Sequence, residues 1–88
     1  MIRKQNLIGI RNLIANGWCR GEAHKQIRGK DHYCLYGAAE FIINDPVVRY
    51  QTLDYLVPSG RVGQFNDSFV DKRSLLRWFD KKIAECTR

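Results

Sequence analysis

Apolar residues recur at helical spacing near both ends of the chain. Leu7, Ile10, Ile14 and Trp18 share one side of a helix read from Ile2 to Asn16, with Leu13 beside them and Lys4, Gln5 and Asn12 opposite. Asn16-Gly17 ends it, because both residue types tolerate the left-handed conformation common at helix C-termini. Ile8 and Ala15 lie off the stripe, which predicts a second neighbour over this helix. At the other end Leu75, Leu76, Phe79, Ile83 and Cys86 form a stripe while Arg73, Arg77, Asp80 and Ala84 face away. Asp71 is the expected N-cap, with Ser68 as the alternative through a Ser-x-x-Asp box. Lys81 and Glu85 stand at the spacing of an exposed ion pair.

Between these ends the pattern changes three times. From Cys19 to Tyr33 the periodicity disappears, and the segment reads as a loop or a short hairpin turning at Arg28-Gly29-Lys30-Asp31. Leu35 to Asn44 is apolar nearly all round, the pattern of a central buried helix, and Gly37-Ala38-Ala39 would let a neighbouring backbone approach closely. Asp45-Pro46 is a stop-and-restart signal, with a cap residue followed by the residue best suited to a first helical position, so a third helix is expected from Pro46 to Leu56. Pro58-Ser59-Gly60 turns the chain, and Arg61 to Asp67 reads as a loop with a short extended piece at Val62 to Phe65. The expectation is a mainly α, compact single domain over residues 1–88, of three to four helices with an irregular or short hairpin segment between the first two.

Composition narrows the class. The 88 residues are too few for two self-sufficient cores, and 44% hydrophobic residues with ten aromatics are ample for one. No stretch approaches the ~20 apolar residues of a membrane span. The N-terminal apolar run, broken by Gly9, Arg11 and Asn12, is unlike a secretory signal. Three cysteines, an odd number, fit a reduced compartment, and a cytoplasmic location is expected, with Cys86 a free thiol. The net charge of +6 is unevenly spread. Residues 1–30 hold seven basic groups against Glu22, residues 31–70 hold Arg49 and Arg61 against five carboxylates, and residues 71–88 are basic again. Basic ends raise nucleic acid or an acidic protein surface as partner; the acidic middle opposes phosphates.

Candidate chemistry is sparse. Cys19, His24, His32 and Cys34 are the ligand types zinc prefers, but neither pair has the Cys-x-x-Cys knuckle spacing, and no metal is expected to be needed for folding. A thiol of Cys19 or Cys34 with His24 or His32 as base and Asp31 behind it would be a catalytic set, yet a chain this short has little room for both that cluster and a substrate cavity. No catalytic residue and no cofactor are expected. Phe65-Asn66-Asp67 reads as an Asx turn before a helix, with the aromatic in the core, and Trp18 reads as core. The surface offers more. Trp78 flanks the stripe of the last helix beside Lys81 and Lys82, and Arg73 and Arg77 continue a basic face, which is the composition of an interface hot spot or a nucleic-acid contact. Arg20, Lys25, Arg28 and Lys30 make a second basic cluster in the irregular segment.

Three short motifs carry a resemblance. Gly17-Trp18-Cys19-Arg20-Gly21, Cys34-Leu35-Tyr36-Gly37-Ala38-Ala39 and Phe65-Asn66-Asp67, with Phe79-Asp80-Lys81-Lys82 in the last helix, resemble a family of small uncharacterised bacterial and phage proteins. That family carries Trp-Cys-x-Gly, Cys-Leu-x-Gly-Ala and Trp/Phe-Asn-Asp motifs. The match runs from about Leu7 to Ile83 and departs from the pattern at Phe65, where Trp is usual, and in the aromatic stretch between Val47 and Val57. The resemblance implies a small phage or bacterial accessory protein without enzymatic activity, acting in the host cytoplasm. Its expected partner is a host protein or nucleoprotein complex, with inhibition of a defence nuclease or CRISPR-type complex as one concrete version. Direct DNA or RNA binding is the alternative within the binding class, and a Cys/His zinc module or small Cys-dependent enzyme is the rival class.

Overall fold

Seven elements follow one another in the computed structural model, which describes residues 2–86; Met1, Thr87 and Arg88, part of the charge count above, lie outside it. They are α1 (Lys4–Asn16), β1 (His24–Ile27), β2 (Lys30–Tyr33), α2 (Leu35–Ile42), α3 (Pro46–Leu56), α4 (Val62–Asp67) and α5 (Lys72–Glu85). Leu7, Ile10 and Ile14 of α1 are buried as their spacing predicts, and α1 packs between α2 and α5. Ile8 nevertheless stays exposed, because neither neighbour reaches it. Antiparallel contact between α1 and α5 is fixed at the surface by Arg11 on Asp80 at 2.9 Å and by Lys72 Nζ on the Ala15 carbonyl at 2.8 Å.

Of the two readings for Cys19 to Tyr33, the hairpin holds. β1 and β2 pair antiparallel from His24↔Tyr33 to Ile27↔Lys30, closing on a two-residue turn in which Arg28 and Gly29 both have positive φ, 53° and 78°. Two positive φ values give the turn whose twist matches the strands. The hairpin is anchored by Gly17-Trp18-Cys19: Tyr33 N–H donates to the Gly17 carbonyl at 2.9 Å and Cys19 N–H to the Tyr33 carbonyl at 3.2 Å. A Cβ at Gly17 would meet the Asp31 carbonyl at 2.5 Å, so this approach requires glycine. Trp18 is therefore in an extended segment beyond α1 and not on its stripe, and it packs half-buried against the core.

α2 touches α1, α3, α4 and β2, which makes it the central element, but it is buried on one side only. Leu35, Gly37, Ala38 and Ala39 face inward while Tyr36, Glu40 and Phe41 face out, Phe41 at 62% exposure. It also ends at Ile42, two residues short of Asn44. An eight-residue helix in a chain this small has too few neighbours to cover both sides, so its all-round apolarity leaves aromatics at the surface. The close approach foreseen at Gly37 is real: a Cβ there would lie 1.8 Å from the Ala23 carbonyl oxygen, which accepts from Cys34 N–H.

α3 has its expected bounds, capped by Asp45, whose carboxylate accepts from Val47 N–H at 2.9 Å and Val48 N–H at 3.4 Å. Asp71 caps α5 through Ser74 N–H at 2.8 Å, and Ser68 instead donates its hydroxyl to the Phe65 carbonyl. Glu85 pairs with Lys82 at 3.8 Å, one turn away, and not with Lys81. The main departure is α4. Val62 to Asp67 is helical where a loop with an extended piece was expected, because Asn66 and Phe65 are held by tertiary contacts that no local pattern shows.

Candidate functional site

Trp78 lies on α5 between its buried side and its basic side. Turning about 100° per residue, Leu75 and Phe79 fall to one side of Trp78, and Lys81, Arg77 and Arg73 fan out on the other. Phe79 and Leu75 are fully buried, and Arg73, Arg77 and Lys81 are exposed. The indole is braced by aromatic rings on three sides: Phe65 at 4.8 Å, Phe79 at 5.3 Å and Phe69 at 6.0 Å between centroids. Trp78 is thus both a wall of the aromatic cluster and a half-exposed ring at the edge of the basic face.

None of Arg73, Arg77 and Lys81 forms an ion pair or hydrogen bond among the described residues. They are spaced by successive intervals of four residues, about 6 Å of helix rise each, so their charges form a stripe on a rigid support. Lys82, grouped with them from sequence, is otherwise engaged: it pairs with Glu85 and lies 5.6 Å from the Tyr55 ring centroid. Val70, just before this helix, is exposed at 78%.

The second basic cluster is divided by the fold. Arg20 lays its guanidinium 4.8 Å from the centroid of the Trp18 ring and donates to the carbonyls of Phe69 and Val70, so it joins the hairpin anchor to the α4–α5 connection. Lys25 pairs with Glu22 at 3.4 Å. Arg28 and Lys30 are left exposed at the hairpin turn.

The cysteines and histidines divide into two groups, with Cys19 near Cys34 and His24 against Asp31. Cys19 is buried with its sulfur 3.3 Å from the Glu22 carbonyl and 3.6 Å from that of His32, where its thiol donates. Burial, followed by the neighbouring Cys34, pushes the Cys19 thiol up, which suppresses the thiolate that nucleophiles and metal ligands need. Cys34 caps α2, its sulfur accepting from Gly37 N–H at 3.4 Å. His24 Nε2 bonds to Asp31 at 2.8 Å and His32 Nδ1 donates to the Lys30 carbonyl at 3.0 Å. Among the described residues no three His, Cys, Asp or Glu side chains are grouped to hold a metal ion.

Asn66 is the residue whose role the sequence hid. It is fully buried in α4, its Oδ1 accepting from Trp18 Nε1–H at 2.8 Å and Leu35 N–H at 3.0 Å while its Nδ2 donates to the Cys19 carbonyl at 3.1 Å. With Nδ2 also donating to Asp67 Oδ1 at 2.9 Å, these structural bonds, rather than an Asx turn, consume the amide's capacity for a ligand. Phe65 packs in the aromatic cluster as expected. No family model, curated protein or solved structure matches this chain. No helix among the described residues is long and apolar enough to cross a membrane.

Proposed function

We propose that this is a non-enzymatic binding protein that docks the basic face of α5 on an acidic surface of another macromolecule. The observation that carries the reading is the stripe of Arg73, Arg77 and Lys81, unpaired among the described residues and rooted beside a braced, half-exposed Trp78. Charges already held on a helix bind without the entropy that ordering a loop would cost, and an aromatic at their edge supplies apolar area. Arg28 and Lys30 at the hairpin turn are a secondary contact. The engagement of Cys19 and Cys34 in holding backbone groups supports a binding role over thiol chemistry.

The partner's identity rests on the motif resemblance alone: a phage or bacterial accessory protein acting in the host cytoplasm, with a host protein or nucleoprotein complex as target and inhibition of a defence nuclease or CRISPR-type complex as its concrete form. Direct nucleic-acid binding is the second reading, favoured by one feature, the regular spacing of the three cations along a single rigid helix.

Capture from host lysate on the immobilised protein tests both. Arg73→Glu with Arg77→Glu should cut recovery of the partner at least about tenfold, a loss of about 1.4 kcal/mol, with the thermal melt unchanged. If binding is to nucleic acid, each lost phosphate contact should lower the slope of log K against log salt by about one unit. Undiminished capture by the double charge reversal would refute the α5 assignment.

A further inference from the structure

A groove of about 620 Å³ opens on the side of the molecule built from the Gly21–Ala23 segment, the start of α2, α3 and α4. That volume lies within the range of about 300–1,000 Å³ typical of small-molecule sites. Its apolar lining includes Leu53, Val57, Pro58 and Val62. Its charged lining among the described residues is of one sign: Glu22, Asp54 and Asp67 contribute carboxylates, and no described lysine, arginine or histidine lines it. In a chain with fifteen lysines and arginines and a net charge of +6, a cavity whose described charged residues are all acidic is opposite in sign to the net charge.

Two tyrosines complete the chemistry. Tyr36 and Tyr50 line the groove and remain 41% and 71% exposed. Tyr50 and Asp54 stand four residues apart on α3, hence on one face, so an aromatic ring and a carboxylate are presented side by side. The three carboxylates are not equally committed. Asp67 accepts from Gly21 N–H at 3.2 Å and from Asn66 Nδ2 at 2.9 Å, and Glu22 pairs with Lys25. The Asp54 carboxylate forms no ion pair or hydrogen bond among the described residues.

We propose that this groove binds an organic cation carried on an apolar stem, an alkylammonium or alkylguanidinium. Asp54 is its principal counter-charge, Glu22 and Asp67 set the field, and Tyr36 and Tyr50 meet the cation and its stem. Tyrosine faces attract such cations electrostatically, and the apolar lining takes the methylene groups. An anion or a phosphate would be opposed by the carboxylates of Asp54 and Asp67, with only the Glu22 charge offset by its pair with Lys25. The site is separate from the α5 face, so neither reading depends on the other.

The same chemistry comes from a free amine or from an arginine side chain in a polypeptide, and two probes separate them: agmatine, and the tripeptide acetyl-Gly-Arg-Gly-amide. Both are titrated into the full-length protein while backbone amide shifts are followed by NMR. Saturable shifts confined to the groove are expected at Tyr36, Tyr50, Asp54 and Gly63. Response to agmatine alone identifies a free amine as the ligand; response to the peptide as well identifies an arginine side chain. Asp54→Asn should weaken binding at least about threefold, the modest loss expected when an exposed ion pair is removed. Gly63→Phe should abolish it by filling the groove, and folding should survive because a Cβ at Gly63 meets nothing within 4 Å. Asp80→Asn, on α5 against Arg11, should leave affinity unchanged. The proposal is overturned if neither probe gives saturable groove shifts, if neutral N-butylurea binds as well as agmatine, or if Asp54→Asn binds with wild-type affinity.

Discussion

Asn66 Oδ1 accepts the indole N–H of Trp18 at 2.8 Å, joining residues 48 apart in the chain, and the same oxygen accepts from Leu35 N–H. One buried amide thereby ties the segment after α1, the start of α2 and the short α4 together. Asn66→Ala would strand the buried Leu35 donor and Cys19 carbonyl and remove the partner of the half-buried Trp18 donor. Each of the two buried groups left unpaired costs about 1–3 kcal/mol, so a loss of roughly 2–6 kcal/mol is expected. Asn66→Asp should also destabilise, since it removes the donor to Cys19 and sets a second carboxylate beside Asp67. Urea unfolding followed by tryptophan fluorescence measures both; wild-type midpoints would show that the amide is dispensable.

Two glycines in helices should respond oppositely to alanine. At Gly37 the new Cβ would lie 1.8 Å from the Ala23 carbonyl oxygen, a backbone atom that cannot move without breaking its bond to Cys34 N–H. Gly37→Ala should therefore destabilise by about 1–3 kcal/mol or more. At Gly63 the Cβ meets nothing within 4 Å and the helix gains propensity, so Gly63→Ala should stabilise by up to about 1 kcal/mol. Paired thermal melts decide the matter by the sign of each shift.

What was readable in the sequence follows from how far apart the deciding partners lie. α5 and α1 declare themselves because long helices repeat their apolar positions many times, and Asp45 and Asp71 because a cap acts on residues two or three positions away. The need for a bare residue at Gly37 was also visible, though its partner Ala23 was not. α4 escapes a sequence reading because six residues containing a glycine span less than two helical turns, too few for an apolar stripe to repeat, and Asn66 because its partners lie 31 and 48 residues away. The same distance hid the engagement of Arg20 with the Phe69 and Val70 carbonyls. In the site, the α5 stripe was legible as a periodic pattern, while the groove, lined from three separate stretches of chain, left no local mark.

Arg20 should behave as a planar clamp rather than as a generic positive charge. Its guanidinium covers the Trp18 ring and reaches two successive carbonyls, a geometry that a lysine ammonium cannot reproduce. Arg20→Lys and Arg20→Ala should accelerate hydrogen exchange over residues 68–72 to similar extents, with protection in α1 retained. Full protection of that connection in Arg20→Lys would show that charge alone suffices.

Acid should release the α5 cap. Asp71's carboxyl is held below its ordinary range first by the backbone N–H of Ser74 and then by that residue's hydroxyl. Because the folded-state value is depressed, the charge stabilises the fold fully above the unfolded value of about 3.9, and that contribution is lost as pH falls through the lower folded value. Asn is also a competent N-cap, so Asp71→Asn removes the charge while keeping an acceptor. The variant should melt below wild type at pH 7, and the gap should close as pH is lowered from about 4 towards 2. A gap that stays constant across that range would mean that the cap works through its hydrogen-bond geometry alone.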